Sequence, residues 1–180
     1  MGSVSEAAGL GPRLSRIPVV SACRHTRGMR ISVAADALVG VAEKLVADLR
    51  GRGHEVLVHG ALSDCERDDW AWASEAAGRD VAEGRADQAV VCCWTGTGAS
   101  IAANKVPGVR AALCTDAATA KGARCWNDAN ALALSLRSTS PAVLEEILEA
   151  WFATTPSTEP GDMANVKHLA ALETSPPAGP

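Results

Sequence analysis

Between Met29 and Phe152 short apolar stretches alternate with amphipathic ones, and this alternation limits the fold more than any other feature of the chain. Residues 30–35 read as a strand. Over residues 39–52, Val39, Ala42, Leu45, Val46 and Leu49 share one helical face, and Gly53 supplies a stop. A second strand is expected at 55–58. A polar loop containing "CERDD" follows, then a helix over 70–83 ended by Gly84. Residues 88–92 run apolar without a break, as strands buried on both faces do. Strands are also expected at 109–113 and 131–134, with a helix at 117–127 between them. A helix over 141–152 opens on proline and sets Leu144, Ile147, Leu148 and Trp151 on one face; a last helix is expected at 162–172. Such an order predicts an α/β fold: a three-layer, Rossmann-like, parallel five-stranded sheet with helices on both faces. Ligands of these folds bind beyond the carboxyl ends of the strands. Three segments should meet there: Asp36, the stretch from Cys93 to Ala99, and Thr115 with Asp116.

The chain ends read differently. Residues 1–28 are rich in Gly, Ser and Arg without periodicity, and their apolar centre is too short for a signal peptide. They read as a disordered leader or an upstream-start artefact, leaving a domain at 29–172 and a disordered tail at 173–180. In 180 residues, 47% hydrophobic content suffices for one core, and abundant Ala suits helices packed closely on a sheet. The net charge of -4 is spread without a basic stripe, which argues against nucleic acid as a partner. No apolar run reaches the ~20 residues of a membrane span. Six cysteines include the adjacent Cys92 and Cys93 but no CxxC pair. They read as reduced thiols in a cytoplasmic protein, with no metal site. None of the four histidines, His25, His54, His59 and His168, falls between Gly60 and Lys167.

The apolar run at 88–92 leads into "CCWTGTGASIAANK". Gly96, Gly98 and Ile101, with Asp116 at the end of a later strand, superficially match a dinucleotide fingerprint. Ile101 replaces its third small residue, however, and "VPG" cuts the following helix short. A phosphate-binding P-loop fails because Lys105 lies too far along. The plain alternative is that both glycines permit a tight strand-to-helix turn. That leaves unexplained why Thr95, Thr97 and Ser100 crowd the same turn with a cysteine at its lip.

The stretch "TGTGASIAANKVPGVRAALCTD", followed by "WNDANALALSLR", resembles the ribose-5-phosphate isomerase B family, the RpiB/LacA/LacB sugar-phosphate isomerases. Its pattern is C-G-T-G-x-G-x-S-I-A-A-N-K, then G-[IV]-R-A-A-L-C. Cys93, Thr95, Gly96, Gly98, Ser100 through Lys105, Gly108 and Arg110 through Cys114 fit it without a gap. The likeness extends over about residues 29–152. It implies an aldose–ketose isomerase that works through a cis-enediolate with a cysteine base and without a cofactor, as a homodimer with shared sites. A non-catalytic sugar- or sugar-phosphate-binding protein on the same fold is the alternative.

Residue by residue, the resemblance makes Cys93 the base, beside a helix N-terminus of the kind that lowers a thiol pKa; a buried core residue is the other reading. The N–H groups of Gly96, Thr97, Gly98 and Ala99 would cradle the oxyanion. Thr95 would assist ring opening, or bond its own turn. Asp36 would handle substrate hydroxyls, or cap the next helix. Asn127 matches a site asparagine, or a helix C-cap. Arg137 matches an arginine near the phosphate, or is a plain surface residue. Cys92 should face the opposite side of the sheet, in the core.

The departures from the pattern are informative. Ala37 stands where a histidine follows the strand-one acid. Trp126, in "RCWN", replaces the ring-opening histidine, and either stacks on a sugar or fills the vacated space. Trp94 replaces a glycine. The C-terminal motif that carries two phosphate arginines reads "GDMANVKHL", with only Lys167 and His168 as basic residues. Loss of both arginines removes the bidentate recognition a phosphate prefers. Ordinary ribose 5-phosphate is therefore not the expected substrate, and open-chain, short or unphosphorylated sugars fit better.

Overall fold

The computed structural model describes residues 28–174. Five strands, β1 (Arg30–Ala35), β2 (Glu55–Gly60), β3 (Gln88–Cys93), β4 (Ala111–Leu113) and β5 (Ala131–Ser135), form one parallel sheet in the order β2-β1-β3-β5-β4. The helices are α1 (Ala42–Gly51), α2 (Trp70–Ala82), α3 (Thr97–Ala103), α4 (Ala117–Asn127), α5 (Pro141–Ala153) and α6 (Pro160–Thr174). Every expected element is present, and the fold class is the expected one.

Because side chains alternate across a strand, the two faces carry different cores. On one face Val33, Val90, Leu132 and Leu134 pack with Leu45, Leu49, Leu144, Ile147, Leu148 and Trp151 from α1 and α5. On the other, Ala34, Ala89, Val91, Cys93 and Ala133 meet Ala73, Ala77, Ala99 and Ala103 from α2 and α3. Small side chains on both partners let α2 and α3 approach the sheet closely. Two helix starts are fixed locally. Ser140 accepts the Val143 N–H at 3.3 Å with Pro141 in the first turn of α5, and Asp116 accepts the Thr119 N–H at 2.8 Å at the start of α4.

Some boundaries differ from expectation for physical reasons. Helix α1 begins at Ala42 rather than Val39, because Gly40 has φ +59° and its α-carbon lies against the Leu136 carbonyl. A Cβ there would stand 2.2 Å from that oxygen. Strand β4 starts only at Ala111, since the Arg110 N–H bonds to the Asn130 side chain at 2.7 Å. Helix α6 continues through Thr174, so Glu173 and Thr174, expected in the tail, are helical. The rest of the tail and the leader, apart from Gly28, lie outside the described residues. Helix α6 buries none of its own residues.

A buried ionic group braces β1, β2 and α2. Asp80 accepts the Ser32 hydroxyl at 2.7 Å and the Arg85 guanidinium at 2.7 Å, and pairs with His59 Nε2 at 2.7 Å. The other ring nitrogen of His59 meets Glu66 at 2.8 Å, which ties down the loop from β2 to α2.

Candidate active site

Strand register sets the site. Ala35 pairs with Cys92, and Cys93 with Ser135, so the chains leaving β1, β3 and β5 emerge side by side at one edge of the sheet. Cys93 ends β3 and is 5% exposed. Backbone bonds lock the edge. The Cys93 carbonyl accepts the Gly96 N–H at 3.2 Å and the Leu136 N–H at 3.0 Å. The Trp94 carbonyl accepts the Arg137 N–H at 3.1 Å and the Ser135 hydroxyl at 2.9 Å. The Trp94 N–H donates to the Asp36 carboxyl.

Gly96 reverses the chain with φ +78°, and α3 starts at the next residue. The turn brings the Ala99 N–H to 3.4 Å from Cys93 Sγ. Of the four N–H groups expected to form the cradle, those of Gly96 and Ala99 are engaged inside the protein, and those of Thr97 and Gly98, in the first turn of α3, have no partner among the described residues. The Thr95 and Thr97 hydroxyls bond to each other at 2.7 Å at the mouth of the turn, where Trp94 is 56% exposed. Cys92 faces the opposite core, and burial pushes its thiol well above the usual range.

Asp36 does not cap α1, whose N-cap is Val41. Its carboxyl is held above the usual carboxylate range by burial first, with the charge of Asp68 adding to the effect and the N–H groups of Trp94 and Asp36 itself opposing it. Asp116 is used up as the cap of α4, bonding the Thr119 N–H and the hydroxyls of Thr119 and Thr115, so the third converging segment supplies structure. Helix α3 spans only seven residues, and with Asp116 so engaged the dinucleotide reading has no ribose acid.

Trp126 and Asn127 are not brought to Cys93 within one chain. They end α4, which leads into the start of β5, at the edge of the sheet opposite Cys93. Trp126 is 61% exposed and its ring lies on Gly122. The left-handed C-cap of α4 is Asp128, φ +43°, rather than Asn127. Lys167 lies on α6 and lines a groove with Trp126 that does not include Cys93.

Two residues at the site escaped the reading of the sequence. Asp68 acts on Asp36 from the loop before α2. Trp70, at the start of α2, lays its indole on Gly98, so that a Cβ at Gly98 would stand 3.0 Å from the ring. Both contacts join distant segments, and no local pattern announces them; "DDW" reads as the end of a polar loop. Among the described residues no cluster of His, Cys, Asp and Glu suits a metal ion, and no helix is long and apolar enough to cross a membrane.

Residues 31–169 match the family described as Ribose/Galactose Isomerase. The chain belongs to this family. Curated relatives of the chain have several specificities. One is the galactose-6-phosphate isomerase subunit LacB of Clostridium acetobutylicum, 37% identical over 124 residues, which are 68% of this chain and 71% of that one. Another is the 4-deoxy-4-sulfo-D-erythrose isomerase of a Clostridium species, 33% identical over 107 residues, 59% of this chain and 67% of that one. Among solved structures, the type B ribose 5-phosphate isomerase of Trypanosoma brucei superposes with a TM-score of 0.73 at 38% identity, covering 81% of this chain and 99% of the other. The family membership and the Rossmann-like fold expected from the sequence are thus both found.

Proposed function

We propose that this family member interconverts an aldose and a ketose with Cys93 as the proton-transfer group. The observation that carries the reading is the position of Cys93 Sγ, held by the Ala99 N–H at the end of β3 beside a partly desolvated Asp36. In the aldose-to-ketose direction, Cys93 as thiolate takes the proton from C2, and the electron pair moves through C1 onto O1. The open N–H groups of Thr97 and Gly98 support the enediolate oxygen. The Asp36 carboxyl, protonated more readily than an exposed one, passes the proton of O2 to O1. The Sγ–H then returns its proton to C1, and the ketose leaves with every atom accounted for. Thr95 bonds a substrate hydroxyl, and Arg137, whose backbone is tied to Trp94, lies at the same rim.

The substrate best suited to this site needs no ring opening. His59 is engaged at both ring nitrogens, and Trp126 stands where the family pattern has its ring-opening histidine. One relative bears the name of a 4-deoxy-4-sulfo-D-erythrose isomerase. A four-carbon sugar with its anionic group at C4 has no hydroxyl there to close a five-membered ring, so it stays open without help. Trp126 and Asn127, remote from Cys93 in their own chain, act from a second copy in a homodimer, where the exposed indole stacks on the substrate.

The test is solvent deuterium wash-in at the carbon beside the carbonyl. The panel is D-ribose 5-phosphate, D-erythrulose, D-erythrulose 4-phosphate and 4-deoxy-4-sulfo-D-erythrose. Wild type exchanges the four-carbon anionic sugars fastest, and Cys93→Ala lowers the rate by about 10²- to 10⁴-fold. Exchange that persists in Cys93→Ala refutes the cysteine mechanism. No exchange with any sugar favours a binding protein on the same fold.

A further inference from the structure

The sequence lacks the C-terminal arginines that hold phosphate in the family pattern, yet a groove beside the cradle offers another cation. Trp70 is 45% exposed, with one part of its indole on Gly98. The rest lines a groove of about 420 Å³ between α2 and α3, together with Ile101, Ala102, Lys105, Glu75 and Arg79. Gly98, Ile101, Ala102 and Lys105 are spaced at three, four and seven residues from Gly98 and so form one stripe along α3 and the turn that follows it. Arg79 is neutralised by Glu75 at 2.8 Å, whereas Lys105 has no ion-pair partner among the described residues. Lys105 follows the end of α3 by two residues and lines the same groove as Trp70.

We propose that this groove is the subsite for the non-reacting, anionic end of the substrate, with Trp70 as its platform and Lys105 as its charge. The inference deepens the isomerase reading and rests on it. The carbon chain lies with its C–H face on the indole, which spans the step from the open Gly98 N–H to the groove. Its terminal phosphate or sulfonate meets the Lys105 ammonium, a point charge that tolerates either group. About 10 Å of rise separates Gly98 from Lys105, a span that a four-carbon chain and the lysine stem cover together. Both residues contact the substrate away from the reacting carbons, so they select the substrate and take no part in proton transfer.

The experiment measures binding of D-erythrulose 4-phosphate and of D-erythrulose by calorimetry in the Cys93→Ala protein, where turnover is blocked. Adding Lys105→Met weakens the phosphorylated sugar by about tenfold to a hundredfold and lowers its preference over the unphosphorylated one by the same factor. Adding Trp70→Ala weakens both sugars, and Trp70→Phe restores most of the loss. In the wild-type background Lys105→Met raises KM for the phosphorylated sugar more than for the unphosphorylated one. The proposal is overturned if Lys105→Met leaves the preference for the phosphorylated sugar intact, if Trp70→Phe fails to rescue, or if the Cys93→Ala protein binds neither sugar. Binding that obeys these expectations in a protein without isomerase activity upholds the subsite and refutes the catalytic reading instead.

Discussion

Gly96→Ala tests whether the turn after β3 is held by close approach or only by its backbone dihedral. Gly96 has φ +78°, and a Cβ there would stand 2.5 Å from Leu113 Cδ1, 2.9 Å from the carbonyl carbon of Leu134 and 3.0 Å from its oxygen. The Leu113 methyl can rotate away, but the Leu134 backbone sits in the middle of the sheet and cannot. An L-residue in the left-handed region costs about 1–2 kcal/mol, and forcing a methyl into packed surroundings adds about 1–3 kcal/mol. The expected loss is therefore about 2–5 kcal/mol, a large part of the 5–15 kcal/mol typical of a domain. Gly53→Ala is the control, because Gly53 has φ +86° with nothing within 4 Å of the added Cβ. It should lose only about 1–2 kcal/mol. Urea unfolding of both variants at pH 7 measures the difference, and each 1 kcal/mol should also lower Tm by about 2–4 °C. Deuterium exchange should fall further in Gly96→Ala, since the Gly96 N–H bonds the carbonyl of Cys93. Equal losses in the two variants would refute the close-approach argument.

Asp80 is expected to contribute to the acid limb of stability. Burial alone would raise its carboxyl, but hydrogen bonds from His59, Ser32 and Arg85 bring it below the usual carboxylate range. A lowered folded value means stability that is present above the unfolded value and lost as pH falls through the folded one. Asp80→Asn should cost about 1.5–3 kcal/mol near neutral pH and flatten the acid limb of the unfolding curve; an unchanged acid limb would show that another group controls it. The proposed action of Trp126 and Asn127 from a second copy requires a dimer. Sedimentation should find one at micromolar concentration, and a mixture of inactive Cys93→Ala and weakened Trp126→Ala chains should gain activity over either alone by forming hybrid sites. A monomer at every concentration would end that reading.

The elements were legible because each carries a complete local signal. Pro141 and Ser140 mark the start of α5, Gly53 and Gly84 end α1 and α2 with left-handed dihedrals, and the apolar run into Cys93 is a central strand. The site was legible only as far as one segment reached. The loop from Cys93 to Ala99 declared itself, because its glycines, hydroxyls and thiol are contiguous. What it does with its N–H groups did not, since Gly96 and Ala99 turn theirs inward onto Cys93. Trp70 and Asp68 reach the site through the β2-to-α2 loop, which His59 and Glu66 tie down, and periodicity says nothing about contacts of that kind. Trp126 and Asn127 fell the other way: the motif grouped them with Cys93, and the topology of α4 separates them.

The way this edge is held explains how its side chains can diverge while the position of the thiol stays fixed. Cys93 is placed by main-chain bonds from Leu136 and Gly96, and Trp94 by bonds from Arg137 and to Asp36. Apart from the Asp36 carboxyl and the Ser135 hydroxyl, none of these contacts depends on which side chain is present. A glycine-to-tryptophan exchange at position 94 leaves the indole 56% exposed, so it alters the rim without loading the core. Ala37 likewise follows β1 without a contact that Cys93 needs. By contrast, Gly96 has no such freedom, because the Leu134 backbone occupies the space a Cβ would take, and Gly98 has it only where the Trp70 indole gives way. Substitutions that change the substrate should therefore collect at positions 37, 70, 94, 105 and 126, where the backbone is indifferent to them. Those that abolish the chemistry should collect at Cys93, Gly96 and Asp36. A saturation library scored in parallel for folding and for exchange would separate the two groups, and substrate-switching variants at Gly96 would contradict the division.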